Sequence, residues 1–305
     1  MRVGYSSESM LTGKDAAQRF SIAARSLPAF PGNFSGRGIV IPAGGFKYFP
    51  GAWVCINMLR QLGCGLAVEL WHLGPGEMTS EMRGLVEPLG VRVENALEFR
   101  ERHSARILNG WELKPYAMIH SRFEEVLLLD ADNVAVRDPT DLFDLVQYRE
   151  LGAIFWPDLQ RMKPDRDVWG LAGVAYRDEP EFESGQIVLN KRRCWDPLAL
   201  AMWMNEHSDF WYDHIHGDKD TFHLAWRKLD VPYAMPSRGV ELLDGVMCQH
   251  DFSGRRIFQH RNMAKWTLTN NRHINGFLLE DECLSMLDDL RRRWDPMRCV
   301  VELGA

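Results

Sequence analysis

The residues best suited to chemistry are two aspartates at the end of an apolar run. The stretch 125–129 is followed at once by Asp130 and Asp132, which are separated by one alanine. If this stretch is a buried strand, the chain turns at its end and both carboxylates can converge beyond the sheet. Hard divalent cations such as Mg²⁺ and Mn²⁺ prefer oxygen ligands and share them with phosphate groups. The pattern predicts a metal site, and a pair of aspartates at an ordinary turn is the alternative interpretation.

A histidine and a lysine near the end of the chain could complete such a site. Two aspartates leave most of a metal's coordination shell open, and an imidazole from His260 would suit Mn²⁺ better than Mg²⁺. Lys265 would place a positive charge on a diphosphate, whose charge the metal would neutralise as the bond to a leaving group breaks. The chain contains ten histidines, so a purely structural role is the alternative for His260.

Alternating strand and helix patterns lead up to the two aspartates. The β-type runs and the helical runs between them occupy residues 38–42, 51–62, 66–71, 77–89, 91–93, 113–121 and 125–129. This order predicts a doubly wound α/β fold of the Rossmann-like type, with a mostly parallel sheet and right-handed crossovers. The last run is apolar on both faces, which is typical of a central parallel strand. Ligands of such sheets bind beyond the carboxyl ends of the strands, where the aspartates fall.

The second half of the chain is less regular. Its patterns predict strands at 153–156 and 186–189 and helices at 197–205 and 219–228. It is also rich in tryptophan, which fills cores but also lines clefts that bind sugars. We therefore expect one compact domain with an elaborated C-terminal half.

The composition excludes several classes of protein. The 305 residues are 46% apolar and 26% charged, and the net charge of −6 argues against a nucleic-acid binder. No segment reaches the roughly 20 apolar residues that a membrane helix needs, and the first residues do not resemble a signal peptide. The six cysteines are scattered, which favours reduced thiols. We expect a cytoplasmic protein without a transmembrane segment.

The stretch 127–143 resembles the metal-binding region of retaining GT-A glycosyltransferases. It is most similar to the mannosyltransferase family typified by fungal α-1,3-mannosyltransferases, and more distantly to the glycogenin-like enzymes. Further stretches match in the same order, so the resemblance covers roughly residues 38–266. These stretches are 111–116, 183–190, 217–222, 258–261 and 265–266.

The resemblance implies roles for the matched residues. Asp130, Asp132 and His260 would bind the metal, with Mn²⁺ or Mg²⁺ as the cofactor. The glycine pair after the first strand would lie at the nucleoside, although a simple turn explains it equally well. The residues implied to contact the nucleotide sugar are Gly44, Gly45, Lys114, Asp130, Gln186, Lys219 and Lys265.

Three residues are implied to take part in the reaction. Glycosyl transfer passes through an oxocarbenium-like state, so Glu183 or Asp218 near the anomeric carbon would stabilise the developing positive charge. Lys265 would stabilise the departing diphosphate. Capping of the following helix is the alternative role for Asp218. The family's proline after this lysine is replaced by Trp266, so the path of this loop departs from the family pattern.

The expected function is that of a metal-dependent, retaining hexosyltransferase of EC class 2.4. It would move a hexose from a GDP- or UDP-sugar to a hydroxyl of a glycan, small-molecule or peptide acceptor. The expected organisation is an N-terminal arm at 1–36 followed by a single GT-A domain at 37–305. Within that domain we expect a nucleotide-binding half at 37–150, a sugar- and acceptor-binding half at 151–280, and a C-terminal helix and tail at 281–305.

Two other functions are compatible with the same fold. A nucleotidyltransferase also pairs a parallel sheet with an acidic metal site, but it usually has a glycine-rich, basic loop after its first strand, and 42–47 resembles such a loop only weakly. A carbohydrate-binding protein that has lost catalysis is the second alternative. The P-loop, the nucleophile elbow and the zinc-protease helix motif are absent from the sequence.

Overall fold

The computed structural model describes residues 10–296, and its strands form two sheets. The strands are β1 Arg37–Pro42, β2 Ala67–His72, β3 Val91–Asn95, β4 Glu125–Leu129, β5 Asn133–Ala135, β6 Ala153–Arg161, β7 Pro180–Asn190, β8 Glu241–Leu243, β9 Val246–His250 and β10 Arg256–His260.

Helices cover the larger sheet and fill the second half of the chain. They are α1 Ala16–Ala23, α2 Gly45–Gln61, α3 Ser80–Val86, α4 Ala96–Arg100, α5 Leu113–His120, α6 Val146–Leu151, α7 Val168–Ala172, α8 Trp195–Glu206, α9 Ser208–Trp211, α10 Asp218–Leu229 and α11 Glu280–Arg293. Short 3₁₀ turns lie at Pro75–Glu77, Glu87–Leu89, Gly110–Glu112 and Thr140–Asp144.

The larger sheet has six strands in the order β3-β2-β1-β4-β7-β6. The first four pair in parallel, and β7 runs antiparallel to both of its neighbours. The α/β class and the mostly parallel sheet are confirmed. Because β2 and β4 lie on opposite sides of β1, the order of the sheet reverses between β1 and β4, which is where such folds bind ligands.

The central strand β4 has the bounds predicted for it. Val126 and Leu128 face one side of the sheet and belong to one hydrophobic core, while Leu127 and Leu129 face the other side and belong to a second core. All four side chains are fully buried. A strand covered on both faces reads as a continuous apolar run, which is why its ends were visible in the sequence.

The smaller sheet is antiparallel, with the order β5-β10-β9-β8, and was not predicted. Its strands are three to five residues long, too short for their alternation to stand out. β5 begins directly after Asp132, and β10 ends at His260, which pairs with Asn133. This sheet therefore joins the end of the central strand to a segment more than a hundred residues further along the chain.

The predicted helices differ from the observed ones mainly at their ends. The helix expected at 51–62 begins earlier, at Gly45. The helix expected at 77–89 consists of α3 flanked by two 3₁₀ turns that contain Pro75 and Pro88. Proline lacks the amide hydrogen that continues an α-helix, so Pro88 explains why α3 ends at Val86. At the other end, the side chain of Thr79 caps the start of α3 by accepting from the amide of Met82.

Both ends of the described chain pack onto the rest of the fold. The ring of Phe20 in α1 is fully buried and contacts Trp203 and Trp211. In α2, the indole N–H of Trp53 donates to the carbonyl of Met286 in α11 over 2.8 Å. The proposed boundaries at residues 36, 150 and 280 stay predictions, and the expected tail beyond residue 296 lies outside the described residues.

The five described cysteines are buried free thiols: Cys55, Cys64, Cys194, Cys248 and Cys283. Cys299 lies outside the described residues. Between residues 10 and 296, no helix has the length and apolar character needed to cross a bilayer.

Candidate active site

The two aspartates lie in a tight turn between β4 and β5. The amide of Asp130 donates to the carbonyl of Gly185 over 2.9 Å, and the amide of Asn133 donates to the carbonyl of Asp130 over 3.0 Å. The side chain of Asn133 is buried and donates to Gly185 and Gln186. These bonds fix the turn, so that both carboxylates leave the sheet on the same side.

His260 enters this turn from the end of β10. Its Nε2 lies 3.0 Å from Asp132 Oδ1 and 3.7 Å from Asp130 Oδ2. One ligand atom from each of the three side chains lies within 4.8 Å of the others. Two carboxylates and an imidazole form a donor set that suits Mn²⁺, so these residues fit the cofactor implied by the sequence.

Glu183 holds the imidazole from behind. Its Oε1 lies 3.1 Å from His260 Nδ1 and accepts a 2.7 Å hydrogen bond from the amide of Gly185. A β-carbon at position 185 would lie 2.5 Å from His260 Nδ1, so only glycine leaves room for the ring. A carboxylate behind a ligating histidine fixes the ring's orientation and tautomer, and makes it a better metal ligand.

The cluster is a network of paired charges. Burial alone would lower the pKa of His260, but the carboxylates of Asp132 and Glu183 raise this pKa well above its usual value. Burial alone would raise the pKa of both carboxylates, but their bonds to His260 outweigh it and lower each pKa. Such a shift requires opposite charges in contact, and a bound cation would take the place of the imidazole proton.

Lys114 borders the cluster on one side. Its Nζ lies 2.9 Å from Asp130 and 3.3 Å from Asp218 Oδ2, and it also donates to Ser184. Burial would lower the pKa of Lys114, but the two aspartates raise it. The lysine therefore carries its charge next to the place where a metal-bound diphosphate or its sugar would lie.

Asp218 is the first residue of α10 and is buried beside Lys114. Burial raises its pKa, opposed by the charge of Lys114. The N-cap position belongs to Gly217, so the capping role considered for Asp218 is wrong. Its carboxylate instead faces Lys114, next to the metal cluster.

Lys265 borders the cluster on the other side. Its Nζ is in contact with Asp132 Oδ2 and lies 5.6 Å from the centre of the Tyr48 ring. Tyr48 belongs to α2 and is 41% exposed. Two lysines thus flank the three metal-ligand candidates, an arrangement suited to the negative charge of a diphosphate.

Other predicted ligand contacts lie further from the cluster. Lys219 forms ion pairs with Asp158 and Glu181 instead of with the metal-ligand candidates. The side chain of Gln186 is fully buried and bonded to Asn133, so it supports the turn from below.

The glycine pair lies at the start of α2. A β-carbon on Gly44 would lie 2.6 Å from the carboxylate of Glu77, and Gly45 has φ +70°, a conformation that favours glycine. The backbone conformation therefore favours glycine at position 45, whereas glycine at position 44 leaves room for the side chain of Glu77. Their contact with a nucleoside stays a prediction.

Several supporting residues could not be found from the sequence. Ser184 and Asn133 hold Lys114 and the aspartate turn through their polar groups. The sequence does not indicate that Tyr48 lies at the site, because a single aromatic residue in a helical pattern usually belongs to a core. Asn133 follows the aspartates directly, and that adjacency was the one clue available.

Comparison with known proteins identifies the family. The model of a family described as "Mannosyltransferase putative" matches residues 36–181 and 174–261, well over half of the chain. Alpha-1,2-mannosyltransferase MNN24 of Candida albicans is 28% identical over 239 residues, which cover 65% of this chain and 34% of that protein. Alpha-1,2-mannosyltransferase MNN2 of Saccharomyces cerevisiae is 27% identical over 280 residues, covering 75% of this chain and 46% of that protein.

Among solved structures, the comparison includes the mannosyltransferase Ktr4p from S. cerevisiae in complex with GDP. It is 9% identical, has a TM-score of 0.45, and the match covers 73% of this chain and 78% of that one. The family assignment rests on the sequence comparisons.

These findings confirm the resemblance to mannosyltransferases and correct one detail of it. The relatives named above are alpha-1,2-mannosyltransferases, whereas the sequence motifs pointed to the α-1,3 type. The chain spans between a third and a half of the length of these relatives. On the match over residues 36–261, the chain belongs to this mannosyltransferase family.

Proposed function

We propose that this chain transfers a mannosyl group from a nucleoside-diphosphate mannose to a hydroxyl of a mannose-containing glycan. The observation that supports this most is the cluster of Asp130, Asp132 and His260 at the end of the central strand. Lys114 and Lys265 flank it with positive charge. The family supports mannose as the sugar that is transferred, and the names of the relatives support an α-1,2 linkage. The charged cluster supports a binding place for the diphosphate.

The cofactor in this proposal is Mn²⁺, with Mg²⁺ as a weaker substitute. Asp130, Asp132 and His260 would hold the ion, which would supply a Lewis acid for the diphosphate. Glu183 keeps His260 in the orientation that presents Nε2 to the cluster. The charge of Lys265 would offset the negative charge that grows on the diphosphate as the glycosidic bond breaks.

The proposed stereochemical outcome is retention. Glu183 is engaged with His260 and the Gly185 amide, and its lowered pKa keeps it ionised. A carboxylate bonded to His260 in this way positions the histidine and is not free to form a covalent bond. Asp218, beside Lys114, is then the carboxylate that would stabilise an oxocarbenium ion. An α-linked donor would then give an α-linked product.

The two alternative functions receive less support. Membership of a mannosyltransferase family does not favour a nucleotidyltransferase. The three metal-ligand candidates and both lysines are present together, which does not favour a protein that has lost catalysis. The cytoplasmic location and the nature of the acceptor stay proposals, because the chain matches only part of each relative.

A donor screen tests the proposal. Hydrolysis and transfer are measured with GDP-mannose, UDP-glucose and ADP-glucose, with methyl α-D-mannopyranoside as acceptor, in Mn²⁺ or in EDTA. We expect turnover with GDP-mannose that EDTA abolishes. Asp132→Asn should lower it by at least about 10–100-fold, because losing a direct ligand should cost no less than losing the residue that supports one. Asp141→Asn, an exposed aspartate in the same part of the chain, is the matched control. Metal-independent turnover, or turnover of another donor alone, would contradict the proposal.

A further inference from the structure

One tryptophan stands apart from the others in its exposure. Trp111 is 59% exposed, whereas each of the other ten tryptophans is at most 9% exposed. It lies in the 3₁₀ turn directly before α5, three residues ahead of Lys114. A large aromatic ring left in water next to a candidate active site points to a binding role.

The ring of Trp111 is held in place by two neighbours. Gly217 has φ +67°, and a β-carbon there would lie 2.9 Å from Trp111 Cε3, so the indole packs directly against the glycine backbone. The ring of Tyr212 meets the indole at 60° with 5.8 Å between centroids. Tyr212 is itself fixed, since its hydroxyl donates to Asn205 Oδ1 over 2.6 Å. The indole is thus a fixed surface open to solvent.

Neighbouring residues connect this surface to the metal-ligand candidates Asp130, Asp132 and His260. Gly217 precedes Asp218, which lies 3.3 Å from Lys114, and Lys114 lies 2.9 Å from Asp130. A chain of contacts through Gly217, Asp218 and Lys114 therefore links the indole to the metal-ligand candidates.

We propose that Trp111 is the stacking platform for the acceptor sugar, an inference that rests on the proposed function. The C–H face of a hexopyranose is apolar and packs against an aromatic ring, while its hydroxyls stay free for hydrogen bonds. The donor sugar must lie at the diphosphate, so the next ring outward is the one that brings the attacking hydroxyl. A pyranose on Trp111 would present a hydroxyl towards Asp218 and the donor.

The test compares three substitutions with a matched control. Trp111→Ala removes the platform, Trp111→Leu keeps an apolar group against Gly217, and Trp111→Phe keeps an aromatic face. Tyr176→Ala is the control. Tyr176 is another exposed aromatic residue, with 40% of its surface exposed, but its ring packs on Trp169 and not on Gly217. The probes are methyl α-D-mannopyranoside as acceptor and GDP-mannose as donor, with Mn²⁺.

We expect the alanine and leucine variants to raise the KM for the mannoside by about ten-fold, equivalent to ~1.4 kcal/mol. The KM for GDP-mannose in hydrolysis without acceptor should stay unchanged. Trp111→Phe should restore most of the acceptor affinity, and Tyr176→Ala should behave as the unchanged chain. Saturation-transfer NMR of the mannoside on metal-free protein should weaken in step with the KM.

Two results would overturn the inference. One is an unchanged KM and an unchanged NMR signal for the mannoside in both the alanine and leucine variants. The other is an equal rise in the KM for GDP-mannose, which would place the platform at the donor. If the unchanged chain does not use GDP-mannose at all, the proposed function fails, and the NMR comparison still decides whether Trp111 binds the sugar.

Discussion

At the scale of single residues, His260 is the central side chain of the candidate site. Nε2 of the ring contacts Asp132 and Nδ1 contacts Glu183, so each ring nitrogen is paired with a carboxylate. A histidine held in this way can exchange its proton for a cation without moving.

His260→Ala should weaken metal binding more than it weakens the fold. We expect the Mn²⁺ concentration for half-maximal activity to rise by at least about 10–100-fold, the range found when the support of a metal site is lost. Activity should return in part at high Mn²⁺. His103→Ala, an exposed histidine, serves as control. A loss of activity that Mn²⁺ does not relieve would contradict the ligand role.

Lys265→Ala should lower kcat more than donor affinity. The charge on the diphosphate grows as the glycosidic bond breaks, so a lysine beside it stabilises the transition state more than the ground state. We expect kcat to fall by about 100-fold, as for the loss of other preorganised charge contacts. Steady-state kinetics with GDP-mannose measure this, with the exposed Lys163→Ala as reference. An equal change in donor affinity and no change in kcat would assign the lysine to binding alone.

At the scale of elements, the site depends on three segments meeting at one point. The aspartates follow β4, His260 ends β10, and the missing side chain of Gly185 in β7 leaves space for the imidazole. The pairing of β10 with β5 places His260 opposite Asn133 and therefore next to Asp132. The small sheet is therefore part of the site, although none of its strands could be recognised in the sequence.

Gly185→Ala tests the meeting of these segments. The added methyl group would lie 2.5 Å from His260 Nδ1 and 2.6 Å from Glu183 Oε1, so the histidine must move. We expect a loss of about 1–3 kcal/mol in the free energy of unfolding, typical of overpacking, together with weaker Mn²⁺ binding. Denaturant unfolding and Mn²⁺ titration measure the two effects.

The matched control for this substitution is Gly84→Ala in α3. No atom lies within 4 Å of the β-carbon added there. Alanine should stabilise the helix by up to about 1 kcal/mol. If Gly185→Ala also kept full stability and metal affinity, the space around His260 would be larger than the structure indicates.

At the scale of the whole molecule, the N-terminal segment adds to the same core as the sheet. Phe20→Ala should destabilise the chain by about 3–5 kcal/mol, because a fully buried ring leaves a cavity beside two tryptophans. Ile22→Ala on the same helix is the control, since Ile22 is 51% exposed. A small effect of Phe20→Ala would show that α1 is an independent arm.

Local sequence patterns predicted the elements whose side chains all have the same kind of surroundings. The strand 125–129 is covered on both sides, so its apolar run alone gave its limits. Lys219 shows the opposite case, because its partners Asp158 and Glu181 lie 61 and 38 residues away in the sequence. Contacts at that range depend on how the β6–β7 pair and α10 pack together. The motifs identified the metal-ligand candidates, and the pairing of short strands, which no pattern revealed, set their geometry.

The most direct test of the central claim is whether GDP binding requires Mn²⁺ at this cluster. Thermal unfolding is followed with GDP, with and without Mn²⁺, for the unchanged chain and for Asp132→Asn. At 100 times the dissociation constant, GDP with Mn²⁺ should stabilise the unchanged chain by ~2.7 kcal/mol, seen as a clear rise in Tm. The rise should vanish in EDTA and shrink in Asp132→Asn. An equal rise without metal, or in the variant, would contradict a metal-dependent nucleotide site at Asp130, Asp132 and His260.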